Sequence, residues 1–301
     1  SGEIRVDPDQ EVDIRGSATK GQGIVAKGIF TNKYNSPRPK MSILGESAGE
    51  SSTTLSTIEQ LYSDSDISTG ELPISAGTIL LRGIEHSGVD LSLKGTAPIE
   101  IDHSYGIYSK DGMESSIGIA GDKSVKIEAE GDYGIKASKL EVGLDEPLTD
   151  TEGLISVEVN ARSVGIQSKR DIAIFGNCET ERDTGSKINI VASEGNGIVS
   201  PQGIRLFFTG EANMHQIPVT IAAKNIAIEA DVTDGDENYS TQMEFTGVNV
   251  MISDAAIGIK GVNQRNYNFA DSQWSIKTSE KGIDLEEFDG SGYMTINKSS
   301  I

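Results

Sequence analysis

The chain has 301 residues, of which 36% are hydrophobic and only 5% aromatic, while 34 are glycine. This composition is lean for a globular core of bulky side chains and favours many short strands and turns. The 46 acidic and 26 basic residues give a formal net charge of −20, which disfavours binding to the phosphate backbone of nucleic acids.

The single cysteine, Cys178, excludes an intrachain disulfide and any zinc site built from several cysteines. It follows the apolar run at residues 172–175, so we interpret it as a small buried residue. The sequence contains neither a run of 18 apolar residues nor a recognisable signal peptide. Any export signal or membrane anchor is therefore expected outside this chain.

A repeated pattern organises the chain. It reads apolar, any, apolar, then three to six small or polar residues, then Gly-Ile. In chain order it occurs in a looser form at residues 12–26, and then at 99–109, 125–138, 157–168, 188–200, 250–261 and 274–285. The alternation of apolar residues predicts a strand that buries one face. The glycine is expected to take a positive φ at a corner, and the following isoleucine to re-enter the core.

The spacing of the repeat predicts the fold class. Successive Gly-Ile glycines, from Gly106 to Gly282, are 28, 31, 32, 61 and 24 residues apart. The 61-residue interval is close to two units, and residues 226–230 supply the strand of a copy without Gly-Ile. A variable unit near 30 residues with strand periodicity is typical of stacked β-coils. We predict an all-β protein, a right-handed parallel β-helix that forms a single segment over residues 1–301.

Two polar stretches interrupt the repeat and are predicted to be loops. Residues 45–76 are rich in serine, threonine and acidic residues, and we expect a long excursion from the scaffold. The second stretch, 231–242, carries a candidate calcium cluster of Asp231, Asp234, Asp236 and Glu237. Since it lacks the full ligand order of known calcium loops, a solvated loop is the preferred interpretation. No cofactor or bound metal is predicted.

The repeated elements YGIY at 105–108, YGIKA at 133–137 and VGIQS at 164–168 resemble the passenger regions of bacterial type V autotransporter adhesins. The resemblance covers about residues 80–300. It implies export through an outer-membrane barrel outside this chain and display at the cell surface. It further implies a non-enzymatic adhesin that binds host or bacterial surface proteins or glycans through its loops, with self-association as an additional expectation.

Three tyrosines beside the Gly-Ile corners are the candidate binding residues. Tyr105, Tyr108 and Tyr133 could form an exposed ladder for glycan or protein contact. Alternatively, side chains at equivalent coil positions simply stack on and support one another. Trp274 occupies an apolar position of the repeat and is predicted to be core rather than a sugar platform.

No catalytic residue is predicted. Of the histidines His86, His103 and His215, which lie far apart, His103 is expected to cap a turn. Acidic residues recur near corners and could align in a column, as in β-helical lyases and glycosidases: Asp102, Asp111, Asp122 and Asp132. Aligned basic and aromatic sugar-binding residues are not evident beside them. A carbohydrate-active enzyme and a trimeric phage tail-spike segment are the alternative functions.

Overall fold

The structure is a computed structural model that describes residues 4–6, 12–18, 24–26, 29–31, 40–47, 74–76, 79–82, 90–100, 102–109, 117–120, 124–143, 154–177, 186–209, 216–231, 242–264, 266–287 and 293–297. Its strands, in chain order, are β1 Ile4–Val6, β2 Val12–Ala18, β3 Ile24–Ala26, β4 Ile29–Thr31, β5 Lys40–Ser47, β6 Ile74–Ala76, β7 Ile79–Arg82, β8 Asp90–Thr96, β9 Tyr105–Ser109, β10 Ile117–Ala120, β11 Ser124–Ala137 and β12 Leu140–Val142. They continue with β13 Leu154–Ser168, β14 Ile172–Asn177, β15 Lys187–Ala192, β16 Asn196–Ser200, β17 Ile204–Thr209, β18 Ile217–Ala223, β19 Ile226–Asp231, β20 Gln242–Thr246, β21 Val248–Gln264, β22 Asn266–Ala270, β23 Gln273–Glu287 and β24 Tyr293–Asn297. These described ranges contain no helix.

The strands form three faces, and one passage of the chain over all three is called a coil. Face 1 contains β2, β5, β8, β15 and β18, and face 2 contains β3, β6, β9, β16 and β19. The long strands β11, β13, β21 and β23 cross from face 1 to face 2 and join both into one 14-stranded sheet. Face 3 is a separate ten-stranded sheet in the order β1-β4-β7-β10-β12-β14-β17-β20-β22-β24.

The pairings establish a parallel β-helix. Each described strand pairs in parallel with the equivalent strand of the neighbouring coil, as in β11 with β13 and β14 with β17. The ten strands of face 3, at about 4.8 Å per step, span about 43 Å along the axis. The predicted all-β parallel solenoid is confirmed, while its right-handed sense stays a prediction that general strand-crossover geometry favours.

Columns of identical or similar apolar side chains fill the interior. The isoleucines that follow the face 1 to face 2 corner stack in register and are at most 1% exposed: Ile107, Ile135, Ile166, Ile198, Ile228 and Ile259. On face 1 a second column of stacked apolar residues contains Leu93, Ile127, Val157, Ile188, Val219, Val250 and Trp274. The apolar alternation read from the sequence therefore gives the buried positions.

A column of glycines occupies the corner between face 1 and face 2. The expectation that these glycines take a positive φ is wrong, because among the described glycines only Gly143 and Gly247 do so. Glycine is needed there because the corner has no space for a side chain. A Cβ on Gly165 would lie 2.4 Å from the Cγ2 of Ile190 and 2.6 Å from the carbonyl oxygen of Gly197. The glycine lets the backbones of successive coils approach each other closely.

Of two copies of the predicted repeat, the structure confirms one and contradicts the other. The copy without Gly-Ile is confirmed, since Ile228 of β19 pairs with Ile198 and Ile259. The strand predicted at the start of the copy at 99–109 is wrong, because Ile99 and Glu100 lie in a turn and it is Leu93 of β8 that lies opposite Ile127. Residues 97–104 instead connect β8 to β9 at the corner. An Ile-Glu-Ile sequence in this connection has the same alternation as the true Leu-Ser-Leu strand.

The predicted excursion at 45–76 is shorter than expected at both ends. Residues 45–47 complete β5 and residues 74–76 form β6, so the connection comprises 48–73, which lie outside the described residues. Its two ends are fixed in the ladder, because Ser47 pairs with Ala18 and Ile74 pairs with Ile107.

Aromatic side chains fill the core near the last described coils. The Trp274 ring meets Phe245 and Phe269 edge to face at centroid distances of 5.0 and 5.4 Å. Its Nε1 donates a hydrogen bond of 2.9 Å to the hydroxyl of Ser272, and the residue is 8% exposed. The prediction that Trp274 is core is confirmed. In contrast, Ile283 of β23 is 38% exposed at a position that is buried in the preceding coils.

Candidate binding site

The corner between face 1 and face 2 holds a buried carboxylate in the coils of β9, β11 and β13. The side chain of Asp132 is 4% exposed. It accepts hydrogen bonds from the backbone N–H of His103 at 2.8 Å, from Nε of Arg162 at 3.0 Å and from the hydroxyl of Ser163 at 2.5 Å. Its own backbone N–H donates to the hydroxyl of Ser104 at 2.8 Å. The buried carboxylate therefore has three hydrogen-bond donors from the protein in place of water.

Arg162 links three coils through this carboxylate. Its Nη1 donates to the carbonyl oxygen of Glu100 at 3.1 Å, and its Nη2 contacts the carboxylate of Asp102. Hydrogen bonds to Asp102, and then to Asp132, raise the pKa of the guanidinium further above neutrality. Asp102 and Asp132 both contact Arg162 but do not form the column that was expected, because the pairing of Tyr133 with Tyr105 places Asp132 level with Ser104. Asp111 and Asp122 lie outside the described residues. Arg162 thus forms ion pairs with both Asp102 and Asp132 and connects the three coils at this corner.

His103 lies in the turn at this corner, but the prediction that it caps the turn is wrong, because the Asp132 carboxylate is the cap and accepts the backbone N–H of His103. Its φ of 58° lies in the left-handed region, and its N–H bond to Asp132 satisfies the backbone there. His86 and His215 lie outside the described residues, as does Cys178.

The rings of His103, Tyr105 and Tyr133 stack on one another, and the ammonium group of Lys136 lies beside them. We call these four residues the aromatic corner. His103 and Tyr133 have centroids 6.2 Å apart with nearly parallel planes, and Tyr133 lies 5.1 Å from Tyr105. The ammonium of Lys136 lies 5.3 Å from the centroid of Tyr105 and 5.7 Å from that of Tyr133. This geometry gives a cation–π contact on two rings.

The prediction that three tyrosines form an exposed ladder is wrong for Tyr105 and Tyr108. Tyr105 and Tyr108 are 1% and 0% exposed. Tyr105 is enclosed by Tyr133, by the Lys136 side chain and by Tyr108, whose ring centroid is 5.3 Å away. Mutual support is therefore the role of this pair, and only Tyr133 is partly accessible. Burial, and secondarily the charge of Asp132, raises the pKa of the Tyr133 hydroxyl.

Sequence reasoning missed His103 as a ring neighbour of Tyr133, and also Lys136 and Arg162. The sequence does show where Lys136 and Arg162 lie in the repeat. Lys136 follows Gly134 by two residues, and Arg162 precedes Gly165 by three. The eight-residue connection at 97–104 was not apparent from the pattern, so the approach of Asp102 and His103 to the next coils could not be deduced.

A second surface feature lies on the outside of face 1. Outward side chains of β8, β11, β13 and β15 line an open groove of about 390 Å³. Lys94 lies 3.2 Å from Glu128, which also contacts Lys126, and Lys187 lies 2.5 Å from Glu158. The hydrogen bond from Lys126 is the main cause that lowers the pKa of Glu128. These exposed pairs balance the local charge.

Face 1 is joined to face 2 and to face 3 by several long connections, most of whose residues lie outside the described ranges. At the corner with face 2, the connection of 26 residues from 48 to 73 contrasts with two residues between β18 and β19. At the corner with face 3, three successive coils have connections of 11, 9 and 7 residues, at 143–153, 178–186 and 210–216. Because the strands stack in register, these connections start from neighbouring points on the same edge.

The calcium candidate is only partly described. The carboxylate of Asp231 lies 3.3 Å from the ammonium of Lys260, which also bonds to Glu229 at 2.9 Å. Asp234, Asp236 and Glu237 lie outside the described residues. Within the ranges that the structure covers, no group of three or more His, Cys, Asp or Glu side chains is placed to hold a metal ion. In the same ranges, no helix is long and apolar enough to cross a membrane.

Comparison with known proteins gave no matching family, no matching curated protein and no matching solved structure. The resemblance to autotransporter passengers therefore stays a prediction from the sequence elements.

Proposed function

We propose that this chain is a non-enzymatic segment of a bacterial cell-surface adhesin, in which the β-helix is a rigid scaffold for binding loops. The observation that carries the proposal is the continuity of the ladder around residues 48–73. Ser47 and Ile74, which bound this connection, are both paired with neighbouring coils. A scaffold that keeps its register around a long connection can vary that connection without refolding.

The charge supports an exposed role. A net charge of −20 keeps an elongated body soluble, and some of the acids on faces 1 and 2 are paired with lysine, as in Glu128 with Lys94 and Glu229 with Lys260. The ligand class in this proposal is a surface protein or glycan of a host or of another bacterium. Export and surface display belong to the same proposal.

The test is a loop exchange that spares the strands. Residues 48–73 are replaced by a short Gly/Ser link, and saturable retention is measured on matrix proteins, glycosaminoglycans, host cells and bacterial cells. We expect binding to at least one surface by the natural chain and its loss in the exchange variant. The matched control replaces 232–241, between β19 and β20, and should retain binding. An unchanged circular dichroism spectrum verifies the fold of each variant.

Absence of saturable binding by the natural chain to all surfaces would contradict the adhesin proposal. Sedimentation and assays for unsaturated or reducing products from acidic polysaccharides separate the alternatives. An obligate trimer would favour a tail-spike segment, whereas product release would favour an enzyme.

A further inference from the structure

We propose that the aromatic corner binds a carboxylate-bearing sugar residue, which packs on the Tyr133 and His103 rings and directs its carboxylate to Lys136. This site goes beyond the proposed loop function, since it consists of described scaffold residues outside 48–73. It adjoins that connection, however, because β5 and β6 are the axial neighbours of β8 and β9.

The rings supply an accessible platform of the right kind. His103 is exposed and Tyr133 is partly exposed, while Tyr105 beneath them is buried. The parallel His103 and Tyr133 planes, with 12° between them, are held by backbone groups at both ends: the His103 N–H on Asp132 and the Tyr133 N–H on the Ser104 carbonyl at 2.8 Å. A sugar ring has an apolar C–H surface, and a rigid aromatic face can bind it with little loss of side-chain entropy.

Lys136 supplies a charge that is not used in an ion pair. Lys94, Lys126, Lys187, Lys260 and Lys281 of face 1 and face 2 each form a salt bridge, whereas Lys136 and Lys277 form none with the described residues. The described contacts of Lys136 are instead with the two tyrosine rings. Its ammonium keeps hydrogen-bond donors for an anion, and aromatic faces alone satisfy them poorly.

The corner also limits the repulsion that an anionic ligand meets on this acidic chain. Asp102 and Asp132 both contact Arg162, so the guanidinium offsets part of the negative charge of this corner. The hydroxyl of Tyr133 and the imidazole nitrogens of His103 have no hydrogen-bond partner among the described residues. They are therefore available to sugar hydroxyl groups.

The experiment measures equilibrium binding of three fluorescent carboxylated probes: galacturonate oligomers, hyaluronan oligomers and sialyllactose. The methyl ester of the galacturonate oligomer is the neutral comparison. We expect saturable binding of at least one acidic probe and loss of binding on esterification. The variants Lys136→Met and Tyr133→Leu should each weaken binding by about tenfold or more, since each removes one principal contact.

Controls distinguish this site from the loops and from misfolding. Lys281→Met removes another exposed lysine of face 2 and should leave the affinity unchanged. Tyr133→Phe keeps the ring and removes only the hydroxyl, so it should weaken binding less than Tyr133→Leu while preserving the fold. The variant with 48–73 exchanged should retain binding of the acidic probe even where it loses retention on a matrix protein or a cell surface, so the loop proposal and this site can fail separately. The assignment would be overturned by no saturable binding of any acidic probe, by equal binding of the ester, or by unchanged affinity in both Lys136→Met and Tyr133→Leu.

Discussion

The glycine column at the corner of face 1 and face 2 shows how the lack of a side chain determines packing. At Gly134, Gly165, Gly197 and Gly258, the space for a Cβ is occupied by the carbonyl oxygen of the next coil, 2.4 to 2.6 Å away. A carbonyl in a ladder cannot move without breaking its own hydrogen bonds. The one alanine in this column, Ala227, is fully buried, so local adjustment can accommodate a methyl group at that coil.

Gly165→Ala is expected to destabilise the fold by about 1 to 3 kcal/mol, as over-packing usually does. The added methyl group meets both the Ile190 side chain and the Gly197 carbonyl oxygen. Gly282→Ala is the matched control, because a Cβ there meets only the Cγ2 of Ile276 at 3.9 Å. Urea unfolding of both variants checks this difference. Equal losses of stability would show that close approach is not what selects glycine.

Asp171 is a second residue whose surroundings predict a measurable effect. Burial raises the pKa of its carboxyl group above the ordinary value, against the opposing charges of Lys139, Arg205 and Arg170. The folded state therefore binds a proton more readily than the unfolded state. The resulting stability is fully present below the unfolded pKa and is lost as the pH rises through the folded pKa.

Asp171→Asn cannot ionise, so it should raise the melting temperature relative to the natural chain near pH 7. The gain should disappear at about pH 3 and below, where the Asp171 carboxyl group is largely protonated in both the folded and the unfolded state. Thermal unfolding at the two pH values measures it. A gain of the same size at both would mean that ionisation of Asp171 is not its cause.

At the scale of elements, the Asp132 network joins the 97–104 connection to β11 and β13. The Asp132 carboxylate accepts from three donors on two other coils, and Arg162 reaches back as far as the Glu100 carbonyl oxygen. A buried carboxylate stays charged at low cost only while its partners remain. This network therefore fixes the corner that carries His103 and Tyr133.

Arg162→Met is expected to cost about 3 kcal/mol, because it leaves the Asp132 charge buried with one donor fewer. Adding Asp132→Asn to it should recover part of the loss, since the unpaired charge is removed. Lys281→Met is the control, because its pair with Asp284 is largely exposed and is worth under about 1 kcal/mol. Urea unfolding of the four variants tests this coupling. Strict additivity of Arg162→Met and Asp132→Asn would contradict it.

The same elements show how far the sequence predicts the structure. Alternating apolar residues and Gly-Ile predict the core columns well, because burial selects residue type directly at Ile135, Ile166 and Ile198. They fail at residues 99–101, where a short connection imitates a strand. They also misjudge Tyr105, because its burial depends on Tyr108, Tyr133 and Lys136, which meet it only in the folded coil. The periodicity of the sequence predicts which positions face the core, but it does not predict which side chains of neighbouring coils contact each other.

At the scale of the whole molecule, each coil contacts its two neighbours and depends little on more distant coils. Stability in such an array is close to a sum of coil and interface contributions. The columns make successive coils nearly interchangeable, since Ile166, Ile198 and Ile228 occupy one position, and Ile172 pairs directly with Ile204.

Deletion of residues 169–200, one full coil, should give a folded and soluble protein. The cut joins Ser168 to Pro201 and brings Ile166 beneath Ile228 in an unchanged column. Deletion of 169–184 alone removes half a coil, shifts the columns and should prevent folding. Circular dichroism and gel filtration of both proteins test this prediction. A folded half-coil deletion, or an unfolded full-coil deletion, would show that register does not control the array.

The interchangeable columns also bear on how a gene for such a protein changes. Recombination between the DNA of two coils can add or remove a whole coil at almost any point, because the buried residue at the junction is again an isoleucine. Each such event lengthens or shortens the rod by about 4.8 Å and leaves every surviving side chain with the same kind of neighbour. The reach of the molecule can therefore evolve separately from the surfaces with which it binds.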